Sequence, residues 1–291
     1  MTKLLLVTPA FNEAEYLDAV ISAVVRQSRR PDEWVIVDDG STDETGAIVD
    51  RAVDAHPWIR SLALPRADAA DADGLSTARP ATAFSAGVRL AATDWDYVGK
   101  LDADVELPPD YYEVLLGRME ADGTLGMTAG TLVEPGRRQE PRLISVPRHH
   151  VPGAAAVYRR SCFEQIGGVR EILGWDSVDE TLARMRRFTT RSYEDVIAKH
   201  LRPTGGVSGV VRGRVRHGTA AWIVHYPLYF VLLRSVKLAF LQPRPILGLA
   251  LLWGYVSAAA RRVPRVDDAE LRSFVRRELR RRTFGGWSTQ S

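Results

Sequence analysis

The chain has 291 residues, 45% of them hydrophobic and 26% charged, with 39 Lys and Arg against 36 Asp and Glu for a formal net charge of +3. That is enough apolar residue for a full core, as one large α/β domain or one domain with an appendage, and it excludes a disordered chain. The single cysteine, Cys162, excludes an internal disulfide framework, and so small a net charge gives no argument for nucleic acid, although basic residues crowd the C-terminal end.

Met1-Thr2-Lys3 enters an apolar run without the pattern of a signal peptide, so a cytoplasmic location is expected. Leu4-Leu5-Leu6-Val7 predicts a short strand, which Pro9 ends within Thr8-Pro9-Ala10-Phe11-Asn12-Glu13. From Ala14 to Gln27, Leu17, Val20, Ile21, Val24 and Val25 recur at helical spacing, with Asn12 or Glu13 available at the helix N-terminus. Trp34-Val35-Ile36-Val37 predicts a second strand, which stops at Asp38-Asp39-Gly40-Ser41-Thr42-Asp43. A strand, helix and strand in this order predict a parallel sheet that binds ligands beyond the carboxyl ends of its strands, where both loops lie. There a carboxylate can accept from a base imide or a ribose hydroxyl, and Gly40 lets backbone approach a ligand. Ser41 and Asp43 can instead cap the helix that begins near Glu44. Neither the dinucleotide fingerprint nor the P-loop is present, so neither an NAD enzyme of that type nor a P-loop ATPase is supported.

Residues Arg66 to Pro80 lack periodicity and read as a loop able to cover a ligand; Thr82 to Ala91 then carries helical spacing with small residues that permit close packing on a sheet. Trp95 to Gly99 predicts a strand that leads into Lys100-Leu101-Asp102-Ala103-Asp104. On a strand, Asp102 and Asp104 leave the same face, and two carboxylates so close are tolerable only beside a cation, a proton or water. Mg²⁺ or Mn²⁺ holding a polyphosphate supplies that cation; a solvated turn before Pro108-Pro109 is the plain alternative. Tyr111 to Met119 predicts another helix, and Met127 to Val133 another strand.

Five segments, in order and spacing, resemble the family-two glycosyltransferases of GT-A fold: Thr8 to Glu13, Asp38 to Asp43, Asp102-Ala103-Asp104, Gly153-Ala154-Ala155-Ala156-Val157-Tyr158-Arg159-Arg160 and Ile166-Gly167-Gly168. The resemblance covers about the first two-thirds of the chain. It implies an α/β fold with a wound, mostly parallel sheet flanked by helices and a C-terminal helical appendage. The expected division is a catalytic domain at 1–218, split into a nucleotide-binding half (1–105) and an acceptor half (106–218), followed by apolar helices and a basic tail at 219–291. Carried over, Pro9, Phe11, Asn12 and Glu13 line the nucleotide, Asp38 and Asp39 meet base and ribose, and Asp102 and Asp104 meet the donor and the divalent metal, with Asp104 the direct ligand and Asp102 the nearer to sugar or ribose hydroxyls.

Inversion in one displacement needs a group that takes the proton of the acceptor hydroxyl. The family places its base beyond the Gly-Gly turn, where Gly174-Trp175-Asp176-Ser177-Val178-Asp179-Glu180 departs from the frequent Glu-Asp dipeptide; Asp179 and Asp176 are the candidates, and a helix cap built from the same residues is the alternative. Lys199 to Gly206 and Arg212 to Gly218 supply imidazoles, cations and flexible glycines. His200 is there the further metal candidate, and Arg202 a partner for the donor diphosphate. Arg148-His149-His150 reads as an acceptor-side loop.

Trp222 to Leu241 and Ile246 to Ala260 are apolar runs separated by Gln242-Pro243-Arg244-Pro245, each shorter than the roughly 20 apolar residues that span a bilayer. Helices lying in a membrane surface fit them, with the arginines of the tail (Arg272, Arg276, Arg277, Arg280, Arg281, Arg282) on anionic lipid; core or homodimer helices are the alternative. The expected protein is thus a metal-dependent, inverting glycosyltransferase, peripheral at the cytoplasmic face of the membrane. It moves a sugar from a nucleotide-diphosphate donor to a hydroxyl of a glycan or lipid-linked acceptor. Transfer to a polyprenyl phosphate, and a non-catalytic nucleotide-sugar-binding protein, are the alternatives.

Overall fold

The computed structural model describes residues 2–65, 78–136, 140–144, 147–203, 209–241 and 245–284. The strands Leu4–Ala10 (β1) and Glu33–Asp38 (β2) are buried along almost their whole length. Both of their faces are covered, which is why they read as unbroken apolar runs rather than alternating ones. Leu4, Leu6, Trp34 and Ile36 join a core with the helices Leu17–Val25 (α1), Thr45–Ala55 (α2) and Tyr111–Ala121 (α4). On the opposite face the helix Arg79–Leu90 (α3) comes so near that a Cβ on Gly87 would run into Val7 and Val37.

The remaining strands are Ile59–Ala63 (β3), Tyr97–Lys100 (β4), Val105–Glu106 (β5), Leu125–Pro135 (β6), Pro141–Leu143 (β7), Val157–Arg159 (β8) and Thr189–His200 (β9). They form a sheet of order β3-β2-β1-β4-β8-β6-β9-β5, with β7 on β6. β1 runs parallel to β2 and β4, β2 to β3, and β6 to β9, whereas β8 is antiparallel to both β4 and β6, and β5 to β9. In the order β3-β2-β1-β4 the connections leave β1 and β4 in opposite directions. That switch point is where an open α/β sheet offers a crevice for a ligand.

The chain groups into two compact units, residues 1–171 with 182–204 and residues 172–181 with 205–291. The sheet belongs to the first. The second contains the helices Val210–Ile223 (α7), Leu228–Leu241 (α8), Pro245–Ala260 (α9) and Ala269–Phe284 (α10), together with the first turns of Trp175–Met185 (α6). Gly218 of α7 and Gly254 of α9 meet backbone to backbone, since a Cβ on either would collide with the carbonyl of Leu251 or Val215; Gly248 meets the Ser235 carbonyl of α8 in the same way. α9 is therefore held by both neighbouring helices through its glycines.

Several expectations change here. Residues Arg212 to Gly218 form part of α7 instead of a flexible cationic loop, and residue 218, the expected domain boundary, lies inside that helix. The run Trp222 to Leu241 is broken, because His225 takes a left-handed backbone (φ 63°) and Pro227 has no N–H to donate, so α8 starts only at Leu228. Most of the covering loop expected at 66–80, the glycines of 205–206 and the break at 242–244 lie outside the described residues. No helix among the described residues is long and apolar enough to cross a membrane.

Candidate active site

The loops after β1 and β2 are fastened to each other by side chains that the sequence reading had offered to a nucleotide or to a helix cap. Asn12 sits at φ 53°, a region Asn tolerates, and its Oδ1 accepts the Thr42 N–H at 2.8 Å while its own N–H donates to Ser41 Oγ at 3.0 Å. Glu13 N–H donates to Thr45 Oγ1 at 2.8 Å. Asp43 Oδ1 accepts from Thr45 N–H at 3.0 Å, and Asp38 Oδ1 accepts from Ser41 N–H at 2.9 Å. Asp43 thus secures the start of α2, whereas Ser41 serves the first loop rather than capping. Phe11 is left 41% exposed at the rim, and Pro9 lies in register beside Val37.

Asp39 is buried, and Arg79, the first residue of α3, grips it with two donors: Nε to Oδ2 at 2.7 Å and a terminal nitrogen to Oδ1 at 2.5 Å. Nothing in the sequence pointed to Arg79, which stands 40 residues away behind the loop.

Asp102 and Asp104 do not share one face. β4 ends at Lys100, and Asp102 and Asp104 follow in a turn closed by the Val105 N–H on Asp102 O, so strand alternation no longer governs them. Asp102 is paired with the buried ammonium of Lys100, which also donates to Gly153 O at 3.1 Å. Asp104 is buried elsewhere, between His200 at the end of β9 (Nδ1 to Oδ2, 3.5 Å) and Arg202 (Nε to Oδ2, 2.6 Å). Arg202 bridges onward to Glu13. Glu13, Asp104, His200 and Arg202 thus converge from β1, β4 and β9. Burial raises the Glu13 carboxyl to about 7, with Arg202 opposing and Asp104 adding to the rise. Burial also pushes Asp104 above the ordinary carboxylate range, helped by Asp102 and opposed by His200 and Arg202.

Two members of this set, Asp104 and His200, are of the types that ligate a divalent cation. Among the described residues no group of three His, Cys, Asp or Glu side chains is gathered tightly enough to hold one alone. Yet His200 Nδ1 and Glu13 Oε2 are buried without a hydrogen-bond partner, on either side of a guanidinium already placed between carboxylates. Asp104 and His200 would supply protein ligands, and a diphosphate the rest of the oxygen shell.

The two base candidates lie on α6. Asp176 is half-buried, its Oδ1 accepting the Ser177 N–H at 2.8 Å, while Asp179 is fully buried. The helix begins at Trp175, so neither stands at the cap position. Arg148 and His149 lend backbone carbonyls to Ser192 N–H and to Thr190 Oγ1 of β9.

The sequence model of the family described as "Glycosyl transferase family 2" matches residues 5–167. Over 117 residues the chain is 30% identical to chondroitin synthase of Pasteurella multocida, a match covering 40% of this chain and 11% of that protein. It is 29% identical over 114 residues to the cholesterol galactosyltransferase of Borreliella burgdorferi, covering 39% of this chain and 28% of that one. The chain thus spans only a minor part of the curated relatives it matches. Among solved structures, the mannosyltransferase PcManGT of Pyrobaculum calidifontis in complex with GDP-Man and Mn²⁺ superposes with a TM-score of 0.57 at 17% identity, over 95% of this chain and 79% of that one. S. aureus TarS 1-349 in complex with UDP-GlcNAc gives a TM-score of 0.58 at 13% identity, over 99% of this chain and 93% of that one. At such identities the two structures speak for the fold.

Proposed function

Because the chain belongs to glycosyl transferase family 2, we propose that it is a metal-dependent, inverting enzyme that moves a sugar from a nucleotide-diphosphate donor to an acceptor hydroxyl. The observation that carries this reading is the convergence of Glu13, Asp104, His200 and Arg202 at the carboxyl ends of β1, β4 and β9, where the sheet changes direction. Solved relatives hold GDP-Man or UDP-GlcNAc, which supports a nucleotide-sugar donor here.

In this reading the loops around Pro9, Phe11 and Asp38-Asp39 hold the nucleoside, and Asp102, oriented by Lys100, meets hydroxyls of the sugar or ribose. Asp104 and His200 would hold Mg²⁺ or Mn²⁺. When bound, the cation neutralises charge on the diphosphate oxygens. Arg202 stands where it can offset the charge that the leaving diphosphate gains. As the acceptor oxygen bonds to the anomeric carbon, the bond to the diphosphate breaks and a carboxylate takes the hydroxyl proton. Asp179 and Asp176, both on α6, are the candidates for that carboxylate.

The exposed apolar side chains of α8 and α9 support a peripheral membrane location: Leu232, Leu233, Val236 and Phe240 on one, Leu249, Trp253 and Val256 on the other. A lipid-linked acceptor would then be met at the surface where it resides.

Release of nucleoside diphosphate from a panel of donors, titrated with Mg²⁺ or Mn²⁺, tests the core of the reading. Activity should require metal, and Asp104→Asn should lower turnover by about 100-fold or more. Asp176→Asn and Asp179→Asn made separately then test the base. Full turnover in both, at saturating donor, would discard the base and favour a phosphate acceptor, which needs none.

A further inference from the structure

In the second unit the turn between α7 and α8 and the segment before α10 enclose a cavity of about 380 Å³. Its lining includes His225, Tyr229, Tyr255, Arg265, Arg276 and Arg280, and no acidic side chain. Arg276 and Arg280 stand one helical turn apart on α10 and so share a face. Among the described residues neither forms an ion pair. Glu278 is taken by Arg282 at 2.6 Å, and Asp268 caps α10 through the Leu271 N–H at 2.8 Å.

The buried edge of the cavity is polar, and three of its atoms are unpaired. Tyr229 Oη, Arg265 Nε and His225 Nδ1 are all shut away from solvent without a hydrogen-bond partner. Such groups are rare in a folded chain and point to something outside it that completes them. Arg265 is fixed with its guanidinium carbon 3.2 Å from the centroid of the Trp222 ring, so its direction is set before anything binds. His225 holds the left-handed backbone noted above, a strain that tends to gather at binding sites. Burial lowers the His225 pKa, and Arg265, Arg272 and Arg276 lower it further against the bond to the Val266 carbonyl.

We propose that this cavity binds a phosphate-class anion, with Arg276 and Arg280 as its charged rim and Arg265 Nε and Tyr229 Oη as its buried donors. Cations that line one concavity repel each other, and a phosphate relieves the repulsion while accepting from both donors. The phosphate can belong to a lipid headgroup or be free in solution. A headgroup is favoured by the apolar strip that leaves the rim along α8: Leu228, itself in the lining, is 48% exposed, and Leu232 and Leu233 follow at 41% and 51%. The proposal does not rest on the transfer reaction proposed above.

Three variants of the full chain test the proposal. Arg276→Gln/Arg280→Gln removes the rim, Arg277→Gln/Arg281→Gln removes the same charge from exposed positions outside the lining, and Tyr229→Phe removes one buried donor. Each is measured against inorganic pyrophosphate by calorimetry, and by flotation with vesicles of phosphatidylcholine with and without phosphatidylglycerol. Arg276→Gln/Arg280→Gln should weaken binding about tenfold and Tyr229→Phe about threefold, while the control pair changes it less than about twofold. If the difference between the two arginine pairs is seen with phosphatidylglycerol vesicles but not with pyrophosphate, the ligand is a headgroup; the reverse result makes it a free phosphate. Equal losses in both pairs would show a diffuse basic surface and overturn the site, as would the lack of saturable binding to either probe. Thermal melting confirms that the variants fold, and pyrophosphate held at the donor site cancels in the comparison of pairs.

Discussion

Glu13 carries the most readable electrostatic consequence in the molecule. Its carboxyl rises from 4.5 to about 7 in the folded chain, chiefly through burial. The folded state therefore holds a proton that the unfolded chain releases between those values. The stability this contributes is complete below pH 4.5 and is lost as pH rises through about 7. Without ligands, wild type should lose about 2–3 kcal/mol relative to Glu13→Gln across that window, read from urea midpoints at successive pH values. A second residue-level expectation concerns Asp39, whose buried carboxylate depends on the two donors of Arg79. Arg79→Ala should destabilise by about 2–4 kcal/mol, and much less in an Asp39→Asn background. Of these residues Glu13, Asp39 and Asp104 were legible in the sequence, because acids at the ends of apolar runs stand out. Arg202 was legible as a cation for the diphosphate but not as the partner of these acids, and Arg79 was not legible at all, because both are distant in the chain from the acids they grip. The separate surroundings of Asp102 and Asp104 follow from β4 stopping at Lys100, which a run of apolar letters does not mark.

Among the elements, β1, β2 and β4 were legible because burial on both faces leaves continuous apolar runs. β9 was not, since its twelve residues alternate between buried and exposed and carry acids and bases on the outer face. Gly218 of α7 misled in a different way: read as loop punctuation, it serves close approach. Gly218 and Gly254 bring α7 and α9 together with no room for a Cβ. Gly254→Val should therefore cost about 1–3 kcal/mol, seen as a lowered melting temperature, while valine at Gly213, which has open space beside it, should cost well under 1 kcal/mol from packing.

For the whole molecule, the division into a sheet unit and a helical unit separates two physical tasks. The first gathers carboxylates, an imidazole and a guanidinium at the carboxyl ends of its strands. The second exposes apolar helix faces and arginines. Leu233→Ser/Val236→Ser/Phe240→Ser, all at exposed positions of α8, should reduce flotation with anionic vesicles several-fold yet leave turnover on a soluble acceptor unchanged. Equal flotation would remove α8 from the membrane reading.

The ion pair between Arg202 and Glu13 closes a span of 189 residues. During synthesis the acids of the first loops emerge early, and for most of translation their guanidinium partner does not exist. Contacts so distant in sequence form late, because a long loop must close before they contribute anything. The nascent chain thus carries carboxylates that stay hydrated and apart until β9 lies beside β6. A partly folded chain would therefore lack the cluster that Glu13, Asp104, His200 and Arg202 form together.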